Sequence, residues 1–222
     1  MPNIIYVIAI DGPAGAGKST VAKRLAAELG FAFLDTGAMY RAITLKAMRE
    51  QINLEDEDAL AALAKRTILD LKAVSAGVMV VMDGQDVSKD IRTLDVTNNT
   101  FYIARAGQVR EILVEWQRQI AGRRSIVAEG RDVTTVVFPS ATHKFYMDAS
   151  VEERTQRRYK ELKEKGQDVD INKLRLEIEE RDQKDFTRKV GPLKQAPDAV
   201  YIDSSRLTID EVIETLRRYI GL

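Results

Sequence analysis

Eight consecutive residues carry the plainest chemistry in this sequence. Gly12, Pro13, Ala14, Gly15, Ala16, Gly17, Lys18 and Ser19 fit the pattern G-x-x-x-x-G-K-[ST]. The glycines let the backbone wrap tightly, so that successive N–H groups converge on phosphate oxygens. A helix starting near Lys18 would point the positive end of its dipole at the same anion. Lys18 can reach the β- and γ-phosphates of a nucleoside triphosphate, and the Ser19 hydroxyl can ligate Mg²⁺, directly or partly through water. With Thr20 following, this loop is the expected ATP site and Lys18 an expected catalytic charge.

Arginines form the second set. Arg41 and Arg131 each follow an apolar run, in Asp35-Thr36-Gly37-Ala38-Met39-Tyr40-Arg41 and Glu129-Gly130-Arg131-Asp132. The planar guanidinium grips phosphate bidentately, and residues after strands are where α/β folds place ligands. Arg181, Asp185 and Arg188, spaced i, i+4, i+7, share one helical face. That face reads equally as a phosphate-binding surface or as an ordinary surface ion pair. Arg154, Arg157 and Arg158 lie at the start of a charged stretch. His143 and Trp116 read as structural.

The elements that must position these residues are legible from periodicity. Ile4–Ile10 is a β-branched run that fits a strand buried on both faces, and Phe31–Leu34 is a second. Between them, Val21, Ala22, Leu25 and Leu29 share one face of a helix over Lys18–Leu29, closed by Gly30. This β-loop-α-β unit begins a parallel sheet. Ser125–Ala128, Lys144–Met147 and Val200–Ile202 are further strands. Helical faces run through Val109, Ile112, Leu113, Trp116 and Ile120, and through Val212, Ile213, Leu216 and Ile220. The expected class is α/β, a doubly wound five-stranded parallel sheet flanked by helices.

Two segments stand outside that pattern. Leu69–Val74, a turn at Ser75-Ala76-Gly77, Val78–Met82, a turn at Asp83-Gly84 and Gln85–Val87 read as antiparallel hairpins inserted in the core. Glu152–Arg188 is a charged helical stretch interrupted at Gly166. On charge alone it reads as two solvated helices rather than a mobile lid.

Composition narrows the chemistry. The 222 residues hold 34 Lys plus Arg against 34 Asp plus Glu, so the formal net charge is zero. A nucleic-acid track or an anionic membrane surface would call for a basic excess. There is no cysteine and one histidine, which excludes disulfides, thiolate or multi-histidine metal sites and a Ser-His-Asp triad. The first eleven residues lack the charged region and cleavage site of a signal peptide, and no stretch approaches a membrane span. The expectation is a soluble, cytoplasmic, monomeric protein acting on small molecules. A regulatory GTPase should carry N-K-x-D, and Asn172-Lys173-Leu174-Arg175 lacks the aspartate. The size suits a kinase for a small phosphorylated acceptor. The alternatives are a kinase for a different metabolite and a non-catalytic nucleotide-binding or RNA-associated protein.

The motifs together resemble the bacterial cytidylate kinases, within the P-loop nucleoside monophosphate kinase superfamily. The resemblance spans essentially the whole chain. It rests on Ile10-Asp11-Gly12-Pro13, Leu34 to Arg41, Asp90-Ile91-Arg92, Val109-Arg110-Glu111, Glu129 to Asp132 with Val136-Val137-Phe138-Pro139, and Arg181-Asp182 through Asp185 to Arg188. It implies one kinase domain with three parts: a core (1–35, 106–150 and 190–222), a monophosphate-binding lobe with a β-rich insertion (36–105) and a short helical lid (151–189). The lid reading replaces that of two solvated helices. It implies phosphoryl transfer from ATP, with Mg²⁺, to CMP or dCMP, as part of pyrimidine nucleotide metabolism. Arg41 and Arg131 would hold the acceptor phosphate, and Thr36, Arg110, Asp132 and Arg188 would face cytosine. Tyr40, Arg181 and Asp185 would lie near sugar and phosphate. Arg157 on the ATP side or Arg158 would serve the lid, and Arg131, Arg158 and Arg188 join Lys18 as expected catalytic charges. Cytosine presents an amino donor at N4 where uracil presents an acceptor, so Asp132 suits cytosine. The chain departs from the common family pattern at Thr36 and Glu129, which keep the hydroxyl and the charge. It departs also at Phe101, where some members have a sugar-contacting serine, and at Thr134, where a glycine is common.

Overall fold

The computed structural model describes residues 5–74, 77–164 and 166–221. Strand β1 (Val7–Asp11) leads through the glycine-rich loop into α1 (Lys18–Leu29) and β2 (Ala32–Asp35). Helices α2 (Thr36–Arg49) and α3 (Glu57–Lys65) follow, then strands β3 (Leu69–Val74), β4 (Gly77–Met82) and β5 (Gln85–Asp86). A 3₁₀ turn at Asp90–Arg92 precedes α4 (Leu94–Arg105), α5 (Gly107–Ala121) and β6 (Ile126–Gly130). A π-helical turn at Val133–Val137 leads to β7 (His143–Asp148), α6 (Val151–Glu164), α7 (Ile171–Thr187), β8 (Val200–Asp203) and α8 (Ile209–Ile220).

Five strands pair in parallel in the order β2-β6-β1-β7-β8. All five carboxyl ends therefore share one edge, which collects the loops after Asp11, Asp35, Gly130, Asp148 and Asp203. Successive side chains alternate between faces. Ala9, Leu34, Ile126 and Ala128 pack into a core with α2, α3 and α5, while Ile8, Ile10, Val127 and Ile202 pack with α1 and α8. Each strand read from the sequence forms, its ends shifted by no more than three residues; the first residue of the Ile4–Ile10 run lies outside the described residues.

The hairpins form a separate antiparallel sheet, β3-β4-β5, with Leu69 opposite Met82. The turn expected over Ser75 and Ala76 lies outside the described residues. Val80, Met82, Val87 and Ile91 bury against Ala38, Ala42 and Leu45 of α2. Helix α2 shows no single apolar stripe because it is buried on most sides, including Thr44 and Lys46. Asp35 caps it, accepting from the Ala38 N–H at 2.8 Å. The seam that α5 buries runs Val109, Leu113, Gln117 and Ala121, with Ile112, Trp116 and Ile120 only partly buried beside it. Helices α6 and α7 are not two independent solvated rods. Leu162, Leu174 and Ile178 form a small core between them, and buried Arg154 pairs with Asp182 at 2.6 Å.

Candidate active site

The glycine-rich loop is built so that few side chains could replace its glycines. A Cβ on Gly12 would collide with the Met147 carbonyl of β7, and Gly15 and Gly17 hold φ of 79° and 91°. Amides that face an anion require carbonyls that face away, and those carbonyls are served from outside the loop. The Ala14 carbonyl accepts from Arg154 at 3.1 Å, and the Ala16 carbonyl from the Ser204 hydroxyl at 3.1 Å and Arg157 at 3.4 Å. Lys18 lies across the loop, its Nζ donating to the Pro13 carbonyl at 2.7 Å. Burial, then the like charge of Arg131, lowers its pKa to about 7. A phosphate beside it would restore the charge. The Ser19 hydroxyl donates to Glu129 Oε1 at 2.6 Å.

The other half of the site holds paired acids and arginines. Arg41 and Arg92 meet Asp35 at 2.9 and 3.5 Å, and Arg131 Nε donates to Asp185 at 2.8 Å. Burial pushes the Asp35 and Asp185 carboxyls up, yet these guanidinium groups hold both below the usual carboxylate range. Arg181 faces the cleft with no hydrogen bond or ion pair among the described residues. Its side chain is exposed to the cleft, yet the protein mass around it, then the charge of Arg131, lowers its pKa to about 10. Asp132 accepts a hydrogen bond from Arg110, and Arg188 stands 3.5 Å from its other oxygen. Arg110 lies over the Tyr40 ring, 5.6 Å from its centroid.

Around Asp132 several buried donors have no hydrogen-bond partner among the described residues: the Tyr40 hydroxyl, Arg110 Nε and Arg188 Nη2, whose one contact is the 3.5 Å ion pair with Asp132, with Arg41 Nε nearby in the cleft. Buried polar groups are almost always satisfied, so a cluster of orphans marks a place shaped for a polar ligand. Burial pushes the Tyr40 hydroxyl up to about 12, so it stays a donor. Thr36 also lines the cleft, its hydroxyl donating to the Glu129 carbonyl at 2.8 Å.

One cleft of about 640 Å³ joins both halves. It is lined by every residue expected to bind ATP or the acceptor or to act on the phosphoryl group except Gly12 and Pro13, the buried first residues of the loop; Arg154 lies outside the lining. Arg188, expected both to face the base and to act on the transferred phosphoryl, sits in the Asp132 cluster rather than beside Lys18. Arg157 is tied to Ser204, donating to its carbonyl at 2.6 Å, and Arg158 to Glu161 at 2.7 Å. Thr100 lines the cleft, whereas Phe101 does not and lies near Lys184 of α7.

Several residues at the site carry no sequence signal of their own. Gly191, with φ 57°, lies against Arg110 and Asp132, where any Cβ would collide with both. Ser204 beneath the loop also emerges only in the fold, as do the contacts of Glu129 with Ser19 and of Arg154 with the Ala14 carbonyl. Among the described residues no group of three or more His, Asp or Glu could hold a metal unaided. The Ser19–Glu129 pair does fit a hard cation that takes most of its oxygens from phosphate and water.

Comparisons with known proteins agree with one another. The cytidylate kinase family model matches residues 8–221. The cytidylate kinase of Desulforamulus reducens is 56% identical over 209 residues, 94% of each chain. That of Caldanaerobacter subterraneus subsp. tengcongensis is 49% identical, covering 96% of this chain and 94% of its own. That of Aeromonas salmonicida is 47% identical, covering 99% and 95%.

Proposed function

Because the chain belongs to the cytidylate kinase family, we propose that it transfers the γ-phosphoryl group of ATP to CMP or dCMP, giving ADP and CDP or dCDP. The observation that carries this reading is the Asp132 cluster: an acid between two arginines, ringed by orphan donors, in the same cleft as the phosphate loop.

The loop amides and Lys18 hold the β- and γ-phosphates of ATP. Ser19 and Glu129 would hold Mg²⁺, which when bound would supply charge neutralisation to the triphosphate. Arg41 and Arg131 grip the acceptor phosphate, with Arg92 beside them and Arg181 as the uncommitted cation between the two anions. The present partners of Arg41 and Arg131, Asp35 and Asp185, hold the two guanidinium groups in place. Asp132 accepts from the N4 amino group of cytosine, and Arg110 and Tyr40 supply donors to the ring acceptors. Uracil would set a carbonyl against that carboxylate, a mismatch that a closed site discriminates strongly. Transfer then depends on alignment and charge cancellation, which suits a site with many guanidinium groups and no nucleophilic side chain at its centre.

The three-part layout follows the same reading: core 1–35, 106–150 and 190–222, monophosphate lobe 36–105, lid 151–189. Closure of the lid on both substrates would bring Arg158 and Arg181 onto the phosphates and exclude water. On this reading the chain is a cytoplasmic monomer that acts on free nucleotides rather than nucleic acid, and its zero net charge offers no overall basic excess to a polyanion. A coupled ADP-release assay across CMP, dCMP, UMP, AMP, GMP and shikimate tests the proposal. CMP and dCMP should give the highest kcat/KM. Faster turnover of UMP or AMP would overturn the cytosine assignment, and no CMP-dependent ATP consumption would leave a binding protein.

A further inference from the structure

We propose that Thr134 is a positioning residue for the acceptor half of the cleft, its hydroxyl fastening the turn behind Arg131 and Asp132 to the strand that enters the phosphate loop. The inference rests on the acceptor reading above. After β6 the chain passes through Arg131 and Asp132 directly into the π-helical turn at Val133–Val137. The first N–H groups of such a turn have no carbonyl partner within it. The side-chain carboxylate of Asp11, the last residue of β1, accepts from two of them. Its Oδ1 accepts from the Val133 N–H at 2.8 Å, and its Oδ2 from the Thr134 N–H at 2.7 Å and the Thr134 hydroxyl at 2.6 Å. Both side chains are buried.

Any residue at 134 other than proline could give the backbone bond; only a hydroxyl side chain adds the third. The charged and titratable groups that face Asp11 are Lys18 of α1, Asp132 of the turn and Tyr146 of β7. Burial pushes the Asp11 carboxyl up to about 6, and the Thr134 hydroxyl is the strongest influence pulling it back.

The two ends of this tether differ in what else holds them. Asp11 sits in a strand paired on both sides, opposite Gly130 of β6 and Tyr146 of β7. The turn has no sheet partner. Losing the hydroxyl therefore loosens the turn and leaves the phosphate loop in place. Arg131 and Asp132, the two acceptor-facing residues immediately before the turn, take the displacement. The expected signature is a loss confined to the acceptor.

The test uses Thr134→Val, Thr134→Ala and Thr134→Ser in the full chain. Steady-state assays give kcat and KM for CMP at saturating ATP, and a fluorescent ribose-labelled ATP analogue reports donor affinity. The valine and alanine variants should raise KM for CMP by about tenfold, the scale of one hydrogen bond to a charged group. Analogue affinity should hold in both, and the serine variant should match the parent. Unchanged KM in both the valine and alanine variants overturns the inference, as does equal loss of donor affinity, or a serine variant as weak as valine. A parent chain inactive on CMP would instead overturn the functional reading beneath it.

Discussion

Replacing Asp132 by asparagine removes a charge and almost no volume. Asp132 is 5% exposed and Arg110 2% exposed, and the carboxylate oxygens face Arg110 and Arg188. Removing one member of such a pair leaves cations desolvated without a counter-charge, at a cost of about 3–5 kcal/mol. After Asp132→Asn, Arg110 keeps the Ala104 carbonyl at 3.2 Å and Arg188 keeps the Gly191 carbonyl. The amide oxygen still accepts from one guanidinium, so the lower end applies, about 3 kcal/mol. In a chain of this size that lowers Tm by about 6–12 °C. Specificity moves separately. An amide can turn its NH₂ toward a carbonyl, which a carboxylate cannot. One hydrogen bond to a charged group sets the scale, so the ratio of kcat/KM for CMP over UMP should fall by about 10–100-fold. Thermal melting and the coupled assay with both monophosphates measure the two effects. An unchanged ratio in a folded variant refutes Asp132 as the base-reading acid, whatever happens to Tm.

Lys18→Ala should cut kcat by about 10²–10³, the scale of one lost oxyanion donor, with an unchanged circular dichroism spectrum. Near-normal turnover would remove Lys18 from the chemistry. Gly191→Ala should raise KM for CMP by tenfold or more, on the order of the cost of forcing a side chain into a left-handed backbone against Arg110 and Asp132. ATP-analogue affinity should hold, and equal loss of both would contradict the placement. Asp185 has a native pKa below the ordinary carboxyl value of 3.8, so its ion pair with Arg131 stabilises the fold above that pH and loses effect as pH falls through the native pKa. Asp185→Asn should therefore melt below the parent at neutral pH, and the gap should close below pH 3.8. A gap that stays constant down to pH 2.5 would refute the pairing.

What could be read in advance followed the reach of local chemistry. The β1–loop–α1 unit, the hairpin strands and the α8 face are each specified within a dozen neighbouring residues, and they form where the periodicity places them. Helix α5 shows the limit. Its apolar residues predict one face, but the buried seam includes Gln117, because a helix packed on two elements buries more than its apolar stripe. The charged stretch after Ser150 was ambiguous for a similar reason: the Arg154–Asp182 pair that joins its helices looks like surface charge until the fold encloses it. Within the site, arginines after strands were legible from position. Glu129 at Ser19, Gly191 against Asp132 and Asp11 beneath Thr134 depend on pairings across tens to more than a hundred residues, which no local pattern encodes.

A crystal structure with CMP and a non-hydrolysable ATP analogue bound together tests the central claim most directly. The account predicts the triphosphate in the Gly12–Ser19 loop, the cytosine amino group on Asp132, and the acceptor phosphate between Arg41 and Arg131. Cytosine bound elsewhere, or those arginines turned away from the acceptor phosphate, would contradict it.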